Sequence, residues 1–598
     1  MNSENNNKNF LKDEIKALVS SAMKKAYPEV SGVTPHVEYP SQEDHGDYAT
    51  NIAMHLTKEV GAPPREIAEK LLENMEETKL VEKADVAGPG FINFFISKKS
   101  LEEETKKINE EGDSYGKLKR EEKRPVILEY SAPNIAKPLG VHHLLSTIIG
   151  QSLANLFKEA GYETVSINHI GDWGTQFGKL IYAYKKWGDE ETIKKSPISE
   201  LLKLYVKFHD EAEKDPKLED EGRKEFKKFE DGDERNRELW KWFVEESMKE
   251  INKTYERLGG INFDYTQGES FYEDKMDDIL EDGKKKGVFE KGEEGAFVIN
   301  YDDENIPTVP IQKKDGTTLY MTRDFATLKY RIERWDPYKI LYVVDVAQSL
   351  HFKQLFLGAK RLGWYDGERA EHILFGRMRM KDGRMSTRKG NVVLLEEVID
   401  EAVMRAEKIV EEKNPELKNK KEVAEKVGIG AVKYNILSQN RTTDITFDWD
   451  RMLSLDGNSA PYLQYSYARA KSILRKAESA EAKAKTESGK FAPENAENTT
   501  TPNAEQESNI AEKTTALIRI FPKYKERLES AVAERKPNIL ANYLYELAQR
   551  FNSFYNAVPV LNAETEDEKK MRLEVVSASA QLLKNGLALL GVEVVEEM

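Results

Sequence analysis

Apolar and polar positions follow several patterns along the chain, and each pattern predicts a different kind of region. In residues 1–110, the segments near Phe10–Tyr27 and over Arg65–Glu77 have helical spacing, and the apolar run Phe91–Ile96 suits a strand. The charged segment 100–124 follows and is interpreted as a connector. The chain is therefore predicted to begin with a small α+β domain.

The pattern changes at Pro125, where PVILEY predicts a short strand. The loop Ser131–Gly140, which contains two prolines, separates this strand from a helix whose apolar residues recur every three or four positions. The next apolar segment, TVSINHI, predicts a second strand. This succession is the unit of a doubly wound parallel sheet, which binds ligands in the loops at the carboxyl ends of its strands.

A further strand of the same sheet is predicted at KILYVVDVAQ, with a helix beginning near Ser349. Residues 192–287, which lie before it, are rich in charge and mostly helical in spacing, so they predict an insertion. From about Leu395 the spacing is helical almost to the end and predicts a helix bundle. The amphipathic segments of this bundle are Ala460–Ala477, Thr514–Arg535, Asn538–Ala557 and Lys569–Leu590.

Residues 477–508 interrupt the predicted bundle and consist mainly of Ala, Glu, Asn, Thr, Ser and Lys. We expect this low-complexity insert to be disordered, because it has few apolar groups to bury. The fold class predicted is multidomain α/β: a Rossmann-type parallel-sheet core, a small α+β N-terminal domain and a C-terminal all-α helix bundle. The expected regions are 1–110, 120–395 with its insertion, a connecting helical region 396–455, and the bundle 456–598.

Composition narrows the class of protein. The 598 residues include 91 Lys and Arg against 106 Asp and Glu, a net charge of −15, which argues against a uniformly basic surface but permits a local basic groove. The lack of cysteine excludes disulfides, thiolate nucleophiles and cysteine-bound zinc. No apolar run approaches the roughly 18 residues of a membrane helix, and the first residues lack signal-peptide order. We expect no membrane association and a cytoplasmic location.

The first candidate site is the loop Ser131–Gly140 with the pair His142–His143 at the start of a helix. The free N–H groups of a helix N-terminus bind phosphate, and the two imidazoles and Lys137 add donors. An adjacent histidine pair at a helix start is also explained by capping and surface polarity, and the pair alone does not decide between these interpretations.

The second candidate is the loop KDGRMSTRKGN, residues 381–391, in which Arg384, Arg388 and Lys389 surround small polar residues. A basic loop of this kind can hold a polyphosphate while charge develops on it. An ordinary surface loop remains the alternative in a protein with 91 basic residues.

The third candidate is the pair Tyr320 and Asp324, which lie four residues apart and share a face if YMTRDFATLKYR is a helix. Asp324 also stands beside Arg323, so a surface ion pair of little energetic value is the alternative.

In their order along nearly the whole chain, these segments resemble the arginyl-tRNA synthetases, which are class I aminoacyl-tRNA synthetases. The segments that carry the resemblance are HGDYATNIAM, AGPGFINFFIS, LEYSAPNIAKPLGVHHLLSTIIG, NHIGDWGTQFG, LYMTRDFATLKYR, YVVDVAQSLHF, MSTRKGNVV, SAPYLQYSYARAKSILRK and YLYELAQRFNSFYNAVPVL. The first two are similar to the family's N-terminal domain, the next five to its catalytic domain, and the last two to its anticodon-binding bundle.

The resemblance implies that ATP and L-arginine form arginyl-adenylate and pyrophosphate, and that the arginyl group then passes to the terminal ribose of tRNA(Arg). It further implies ATP as a substrate with Mg²⁺, no protein-bound zinc, activation that depends on bound tRNA, and a monomer. A degenerate synthetase that binds tRNA or arginine without catalysis is the alternative, and the MSTRKGN loop argues against it.

The resemblance also implies roles for individual residues. Arginine is expected to bind at Glu129, Ala132, Pro133, Asn134, His143, Tyr320, Asp324 and Gln348. ATP is expected at Gly140, His142, His143, Met385, Ser386 and Lys389. The catalytic groups are expected to be His143, His142, Lys137, Ser386, Arg388 and Lys389. The tRNA is expected to contact Asn440, Arg441, Tyr462 and Arg469.

The first signature departs from the family pattern. Where relatives have His-x-Gly-His, this chain has Gly140, Val141, His142 and His143 in succession. The usual glycine lets adenine approach the backbone closely. An imidazole at position 142 therefore stacks on adenine, swings away, or supplies the phosphate contact that Gly140 lacks. Leu145 and Arg384 also replace an arginine and a lysine that are common in relatives.

Overall fold

The computed structural model describes residues 10–40, 42–292, 295–381, 394–487 and 504–598. The N-terminal elements are α1 (Leu11–Ala26), β1 (Tyr48–Thr50), α2 (Ile52–Val60), α3 (Pro64–Glu73), β2 (Val81–Ala87), β3 (Phe91–Ile96) and α4 (Lys98–Glu111). The three strands form an antiparallel sheet in the order β1-β3-β2. An α+β region at the start of the chain is therefore confirmed.

The charged segment after β3 is more than a connector. It forms α4, whose Leu101 and Ile108 are buried, and the Asn109 amide donates to the Glu574 carbonyl at 3.0 Å. The high charge of this segment hid an apolar stripe that packs against the C-terminal helices.

The central region contains a parallel sheet and an insertion. Its elements are β4 (Val126–Glu129), α5 (Val141–Glu159), β5 (Thr164–Asn168), α6 (Thr175–Trp187), α7 (Glu190–Lys195), α8 (Pro197–Lys214), α9 (Lys217–Glu230), α10 (Glu234–Arg257), β6 (Tyr265–Thr266), α11 (Met276–Lys285), β7 (Glu290–Lys291), β8 (Phe297–Tyr301), β9 (Ile306–Gln312), α12 (Tyr320–Trp335), β10 (Lys339–Tyr342), α13 (Ser349–Arg361), β11 (Ala370–His372) and β12 (Met378–Met380). The predicted strands and crossover helix are confirmed at β4, α5, β5 and β10.

The sheet has the strand order β11-β10-β4-β5-β6 with every pair parallel. From the central strand β4 the chain builds outward through β5 to β6, then returns to add β10 and β11 on the other side of β4. Strand order therefore reverses between β4 and β10, which is the switch point where doubly wound sheets bind ligands.

The range 192–287 is mostly helical, but it also holds β6, an edge strand of the main sheet. This strand has two residues, both exposed, so no hydrophobic pattern marks it. The small antiparallel sheet β7-β8-β9 was also absent from the prediction.

The last region is mainly helical. Its elements are α14 (Leu395–Lys413), α15 (Lys420–Leu437), β13 (Ile445–Phe447), α16 (Trp449–Met452), α17 (Ala460–Glu487), α18 (Ala504–Ile518), α19 (Lys523–Glu534), α20 (Asn538–Ala557) and α21 (Glu566–Leu589). The strand β13 pairs in parallel with β12, an exception to the all-helical expectation. We refer to α17–α21 as the C-terminal bundle.

Two expectations within the bundle are wrong. The predicted helix 514–535 is two helices, α18 and α19, because Pro522 lacks the N–H that a continuous helix needs. The predicted disordered insert is helical over 477–487 and 504–508. Ala, Glu and Lys are strong helix formers, so a segment with few large apolar residues can still extend a helix. The residues between these two helical parts lie outside the described ranges.

Apolar packing joins the regions. One large core contains Val126 and Leu128 of β4 together with residues of the N-terminal region and the bundle, whereas Ile127 faces a second core on the opposite side of the sheet. The buried Glu526 of α19 accepts hydrogen bonds from the hydroxyls of Tyr39 and Tyr48, the latter at 2.9 Å. The N-terminal region is thus docked on the bundle. Within the described ranges, no helix has the length and apolar character to cross a membrane.

Candidate active site

Four loops meet at the carboxyl edge of the parallel sheet. The central strands β4 and β10 end side by side, with Glu129 paired in register with Tyr342. The loops after these strands, 131–140 and 343–349, flank the switch point, and those after β5 and β6 lie beside them. The pair His142–His143 and Gln348 therefore lie at one edge of the sheet, where doubly wound folds bind ligands, and Asp324 of α12 contacts His351, three residues beyond Gln348.

The loop after β4 has an unusual backbone. Ser131, Ala132 and Ala136 have φ values of 72°, 48° and 61°, in the left-handed region that non-glycine residues avoid. Such residues cost on the order of 1–3 kcal/mol each and persist where surrounding contacts hold them, often at functional sites.

Buried polar groups hold this loop in place. The Ser131 N–H donates to Ser146 Oγ at 3.0 Å, and the Ala132 N–H donates to Asn168 Oδ1 at 3.2 Å. The Ser131 hydroxyl lies 2.6 Å from the hydroxyl of Tyr255 and accepts from Thr147 Oγ1 at 2.8 Å. The partners come from β5, α5 and α10, so the loop is fixed by three separate elements.

Asn134 lies exposed at the mouth of the crevice. It forms a parallel bridge with Gly171, whose N–H donates to the Pro133 carbonyl at 2.9 Å. A Cβ at position 171 would lie 2.5 Å from Oδ1 of Asn134, so a larger residue there would require the Asn134 side chain to move. Pro133 is buried and Ala132 half-buried, so of these three residues Asn134 presents its side chain to a ligand.

His143 is buried and caps the helix it begins. Its Nδ1 accepts from the Gly140 N–H at 3.0 Å. Burial, with a smaller effect of neighbouring His142, lowers the pKa of His143 to about 3. The ring is therefore neutral at pH 7 and carries its proton on Nε2, since Nδ1 is an acceptor. The capping interpretation is confirmed, and it leaves one ring N–H as a donor.

The other groups predicted in this loop are more open. The His142 ring is exposed, and its centroid lies 3.9 Å from that of His143. Lys137 is exposed, with Nζ 5.9 Å from the centre of the Tyr205 ring of α8. Gly140 has φ −90°, so its backbone conformation does not itself require glycine. These groups surround the first turn of α5.

Tyr320 and Asp324 share the first turns of α12, as their spacing predicts. Tyr320 is 66% exposed. Asp324 Oδ2 lies 2.6 Å from Nε2 of His351 on α13. Burial opposes the charged form of His351, but the hydrogen bond and charge of Asp324 outweigh it and raise the pKa of His351. The alternative pairing of Asp324 with Arg323 is not found in the structure.

The Arg323 side chain instead contacts an acidic cluster that the sequence prediction missed. Its guanidinium pairs with Glu269 at 3.3 Å and with Glu273 at 2.9 Å. Burial raises the pKa of Glu269 to about 7; Arg323 opposes this rise, and the carboxylates of Asp324 and Asp172 add to it. Glu269 follows β6 at the carboxyl edge of the sheet. Recognition of β6 as a strand would have indicated Glu269 as a candidate site residue.

Glu129, predicted in the arginine pocket, has an internal partner. Its Oε2 lies 2.5 Å from Nη1 of Arg331, a residue that is completely buried. Burial disfavours the guanidinium charge, but Glu129 outweighs it and raises the pKa of Arg331. The Arg331 guanidinium also lies 5.3 Å from the centre of the Tyr342 ring. Glu129 therefore joins β4 to α12 beneath the crevice.

Gln348 ends a short 3₁₀ turn after β10 and is exposed. Asp345 caps this turn by accepting from the Ala347 N–H at 2.8 Å. The turn lies on the β10 side of the switch point, across from Asn134. The closure of the crevice by Gln348 stays a prediction.

The second signature loop, with Met385, Ser386, Arg388 and Lys389, lies outside the described residues. The chain beyond it returns directly to the first signature: the Leu395 N–H donates to the Leu139 carbonyl at 2.8 Å, and Leu394 forms an antiparallel bridge with Gly140. Leu394 and Leu395, which follow this loop in the sequence, are thus fixed beside the first turn of α5.

The residues predicted to contact tRNA are of two kinds. On α17, the Arg469 guanidinium lies 4.8 Å from the centre of the Tyr465 ring and 4.6 Å from that of Tyr555, which is 40% exposed. Its Nη1 donates to Asn552 Oδ1 at 2.5 Å. The half-buried Tyr462 packs edge to face on Tyr545. These side chains form an aromatic and basic surface.

Asn440 is exposed, but its Oδ1 accepts from the N–H and the hydroxyl of Thr442 at 3.2 and 3.0 Å. Arg441 is only 8% exposed, and its guanidinium donates to the carbonyls of Arg535 at 2.7 Å and Leu374 at 2.5 Å. The Arg441 side chain therefore links the bundle to the sheet, and any effect on tRNA would act through that link.

The doubly wound sheet, the switch-point crevice and the appended helix bundle define a class I aminoacyl-tRNA synthetase. Residues 105–449 match the family model for the catalytic domain of class I (R) tRNA synthetases, residues 463–598 the DALR anticodon-binding domain, and residues 13–96 the arginyl-tRNA synthetase N-terminal domain. The chain belongs to the arginyl-tRNA synthetase family.

Individual relatives agree. An arginine–tRNA ligase of Clostridium kluyveri is 44% identical over 587 residues, 98% of this chain and 100% of the relative. One of Clostridium perfringens is 43% identical over the same lengths. The structure of Thermus thermophilus arginyl-tRNA synthetase matches with a TM-score of 0.79 and 25% identity, covering 98% of this chain and 100% of that one. The Plasmodium falciparum enzyme matches with a TM-score of 0.78 and 26% identity over 98% and 99%.

Proposed function

We propose that this protein joins L-arginine to tRNA(Arg) in two steps within the switch-point crevice. An arginine carboxylate oxygen attacks the α-phosphorus of ATP and pyrophosphate leaves; a hydroxyl of the tRNA's terminal ribose then attacks the arginyl carbonyl and AMP leaves. The observation that supports the proposal is the position of Asn134, His143 and Gln348 at the carboxyl edge of the sheet, with Asp324 bonded to His351 near Gln348, in a chain of this family.

The guanidinium of arginine is proposed to bind Asp324, with Glu269 as a second acidic group and Tyr320 beside it. The charge of Asp324 helps to raise the pKa of Glu269 because the two carboxylates lie near each other, so this part of the crevice is acidic. A carboxylate pair matches the planar donors of a guanidinium better than the single point charge of lysine. A pocket that pairs with the guanidinium rejects lysine because its buried acceptors would be left unpaired.

The α-amino and carboxyl end of arginine is proposed to lie between Asn134 and Gln348, beside Ala132 and Pro133. Glu129 supports this position from below through its pair with Arg331. Its contribution is proposed to be the placement of α12 relative to β4, which sets the distance between the two ends of the arginine pocket.

ATP is proposed to lie over the first turn of α5. The free N–H groups of that turn, the Nε2–H of His143, His142 and Lys137 would face its phosphates. Ser386, Arg388 and Lys389, with Met385 beside the base, would hold the departing pyrophosphate, and ATP would enter as its Mg²⁺ complex.

The tRNA is proposed to lie along the bundle, with Arg469 and Tyr462 at its anticodon arm and Asn440 between bundle and crevice. Base stacking on aromatic side chains is worth about 1–3 kcal/mol per base. We further propose that bound tRNA is needed for adenylate formation, that the protein is a cytoplasmic monomer, and that the regions divide near residues 110, 395 and 455.

The test is arginine-dependent exchange of labelled pyrophosphate into ATP, with and without tRNA(Arg), followed by transfer of labelled arginine to that tRNA. Exchange that requires both arginine and tRNA, and transfer that follows it, would support the proposal. Folded protein that binds tRNA but shows neither reaction would favour the non-catalytic alternative.

A further inference from the structure

We infer that Lys433 is a positioning residue that couples the C-terminal bundle to the strained loop Ser131–Ala136, acting through helix α10 and Tyr255. This inference rests on the proposed function, in which the bundle holds tRNA and the loop holds arginine. It adds a physical connection between the two substrates that neither binding site contains by itself.

Lys433 joins three helices. It lies on α15 and is 5% exposed. Its Nζ donates to the Leu258 carbonyl at 2.6 Å and to the Gly591 carbonyl at 2.6 Å. Leu258 caps the end of α10, and Gly591 follows the end of α21 in the bundle. Both acceptors are carbonyls of helix C-termini, which lack partners within their own helices and carry partial negative charge.

Burial of the Lys433 amine costs desolvation free energy. Burial lowers the pKa of Lys433 to about 8, against the opposing charge of Glu593. An apolar side chain could fill this space without the free-energy cost of burying an amine. A buried polar group is tolerated when its hydrogen bonds are made. What the amine provides is the simultaneous connection to two helix ends.

From Leu258 the connection continues to the crevice within one turn of α10. Tyr255 is buried on that turn, and its hydroxyl lies 2.6 Å from Ser131 Oγ and accepts from Asn168 Nδ2 at 3.1 Å. Asn168 in turn accepts from the Ala132 N–H at 3.2 Å. Tyr255 therefore contacts the left-handed residue Ser131 directly and the left-handed residue Ala132 through Asn168.

Other contacts fasten the same turn to α14 and α15. Arg257 pairs with Asp400 at 2.5 Å and with Glu425 at 2.6 Å, and Thr254 Oγ1 donates to Glu396 at 3.0 Å. These carboxylates lie outside the bundle. Lys433 differs because its second acceptor belongs to the bundle, so a shift of α21 is felt at the end of α10.

Close packing makes such a shift discrete. Buried elements move as units between alternative arrangements, since interiors leave little free volume. A change in the position of α21 on tRNA binding would therefore move α10 and Tyr255 or break the Lys433 contacts. By linkage, arginine held by the loop would in turn affect tRNA binding by the same factor.

The first experiment compares Lys433→Met with Lys426→Met. Lys426 lies on the same helix and reaches the same C-terminal segment, with Nζ 2.8 Å from Glu422 and 3.6 Å from Glu593, and both of these partners lie outside α10. We expect Lys433→Met to lower kcat for arginine-dependent pyrophosphate exchange at saturating tRNA(Arg) about tenfold, with the tRNA Kd changed less than twofold. Lys426→Met should change both less than twofold. Equal behaviour of the two variants would overturn the inference.

The second experiment tests the path through α10. Tyr255→Phe removes the hydroxyl and keeps the ring, and it should reproduce the loss of kcat. The double variant Lys433→Met/Tyr255→Phe should have a kcat no lower than that of the more impaired single variant, because both substitutions interrupt one connection. Losses that multiply would show independent effects and contradict the coupling.

A third measurement does not depend on any variant. Hydrogen exchange of the wild-type protein should change at residues 131–136 and at the end of α10 when tRNA(Arg) binds. An unchanged exchange pattern there would overturn the inference, even if Lys433→Met failed to fold. Failure of the proposed function is distinguishable, since wild-type protein would then transfer no arginine to tRNA whatever the exchange pattern.

Discussion

The crevice and the Arg469 surface of the bundle use polar residues in opposite ways. In the crevice, Ser131, Asn168 and Tyr255 are buried and bonded to one another across three elements. On α17, Tyr462, Tyr465 and Arg469 lie at i, i+3 and i+7 of a single helix, with open faces. The first arrangement is preorganised by contacts across several elements, whereas the second is a surface formed by α17 together with Tyr545 and Tyr555 of α20.

The difference predicts where substitutions are costly. When a group in a buried network is removed, its partners are left without hydrogen bonds. When a group on an exposed surface is removed, water can replace the hydrogen bonds that its partners lose. We therefore expect changes at the crevice to affect stability or arginine binding strongly, and changes at the bundle surface to affect tRNA binding moderately and nothing else.

The largest effect is expected at the buried pair beneath the crevice. Arg331→Met leaves Glu129 buried without its cation, which should lower the free energy of unfolding by about 3–5 kcal/mol, measured by urea denaturation. The matched control is Arg369→Met, which removes a half-exposed pair with Asp336 and should cost less than about 1 kcal/mol. Equal costs for the two variants would show that the Glu129 pair is not a closed contact.

The second effect concerns arginine itself. Asp324→Ala should raise the arginine KM by roughly 30-fold or more, because truncating one partner of a charged pair costs about 2–5 kcal/mol. The fold should be unchanged by circular dichroism. Asp336→Ala, at the exposed end of the same helix, serves as the control and should leave the arginine KM unchanged. A wild-type arginine KM in Asp324→Ala would remove Asp324 from the pocket.

The third effect is a pH dependence. Because the pKa of Glu269 is raised to about 7, its carboxyl group is neutral below that pH and charged above it. Arginine is a cation throughout, so its affinity should rise, by roughly threefold to tenfold, as pH increases through 7. Calorimetric titration from pH 5.5 to 8.5 measures this. In Glu269→Gln the step should disappear, apart from any contribution of the His351–Asp324 pair; a step that persists at full size assigns it to that pair instead.

The smallest effect is expected on the bundle. Arg469→Ala removes a guanidinium from between two tyrosine rings and should raise the tRNA KM by about fivefold to thirtyfold, corresponding to roughly 1–2 kcal/mol. The arginine KM should not change. Arg475→Ala is the control, since Arg475 lies on the same helix and pairs with the C-terminal carboxylates of Glu596 and Glu597. If both variants weaken tRNA binding equally, the surface is less localised than proposed.

Much of the fold was predictable because it depends on local periodicity. The strand Val126–Glu129, the helix Val141–Glu159 and the bundle helices Asn538–Ala557 and Glu566–Leu589 agree with their apolar patterns. The errors arose where a pattern was short or masked by charge. Strand β6 has two exposed residues, and α4 conceals its buried face among lysines and glutamates.

The site was predictable only in part. Tyr320 and Asp324 follow from helical spacing, and the loop Ser131–Gly140 follows from its place after a strand. Glu269 could not be predicted in this way. It pairs with Arg323, which lies 54 positions further along the chain, and strand β6 places it there. The residue roles assigned to arginine, ATP and tRNA stay predictions until the measurements above are made.

The sequence by itself determined the order of the elements, the class of sheet, the family and the residues at the carboxyl ends of the central strands. These depend on hydrophobic periodicity and on motifs that are contiguous in the chain. Tertiary structure alone decided which side chains are used internally. It placed Glu129 on Arg331, Arg441 on two carbonyls and Lys433 between two helix ends. A charged group buried by folding must find a partner from a distant segment, and no local pattern specifies which one.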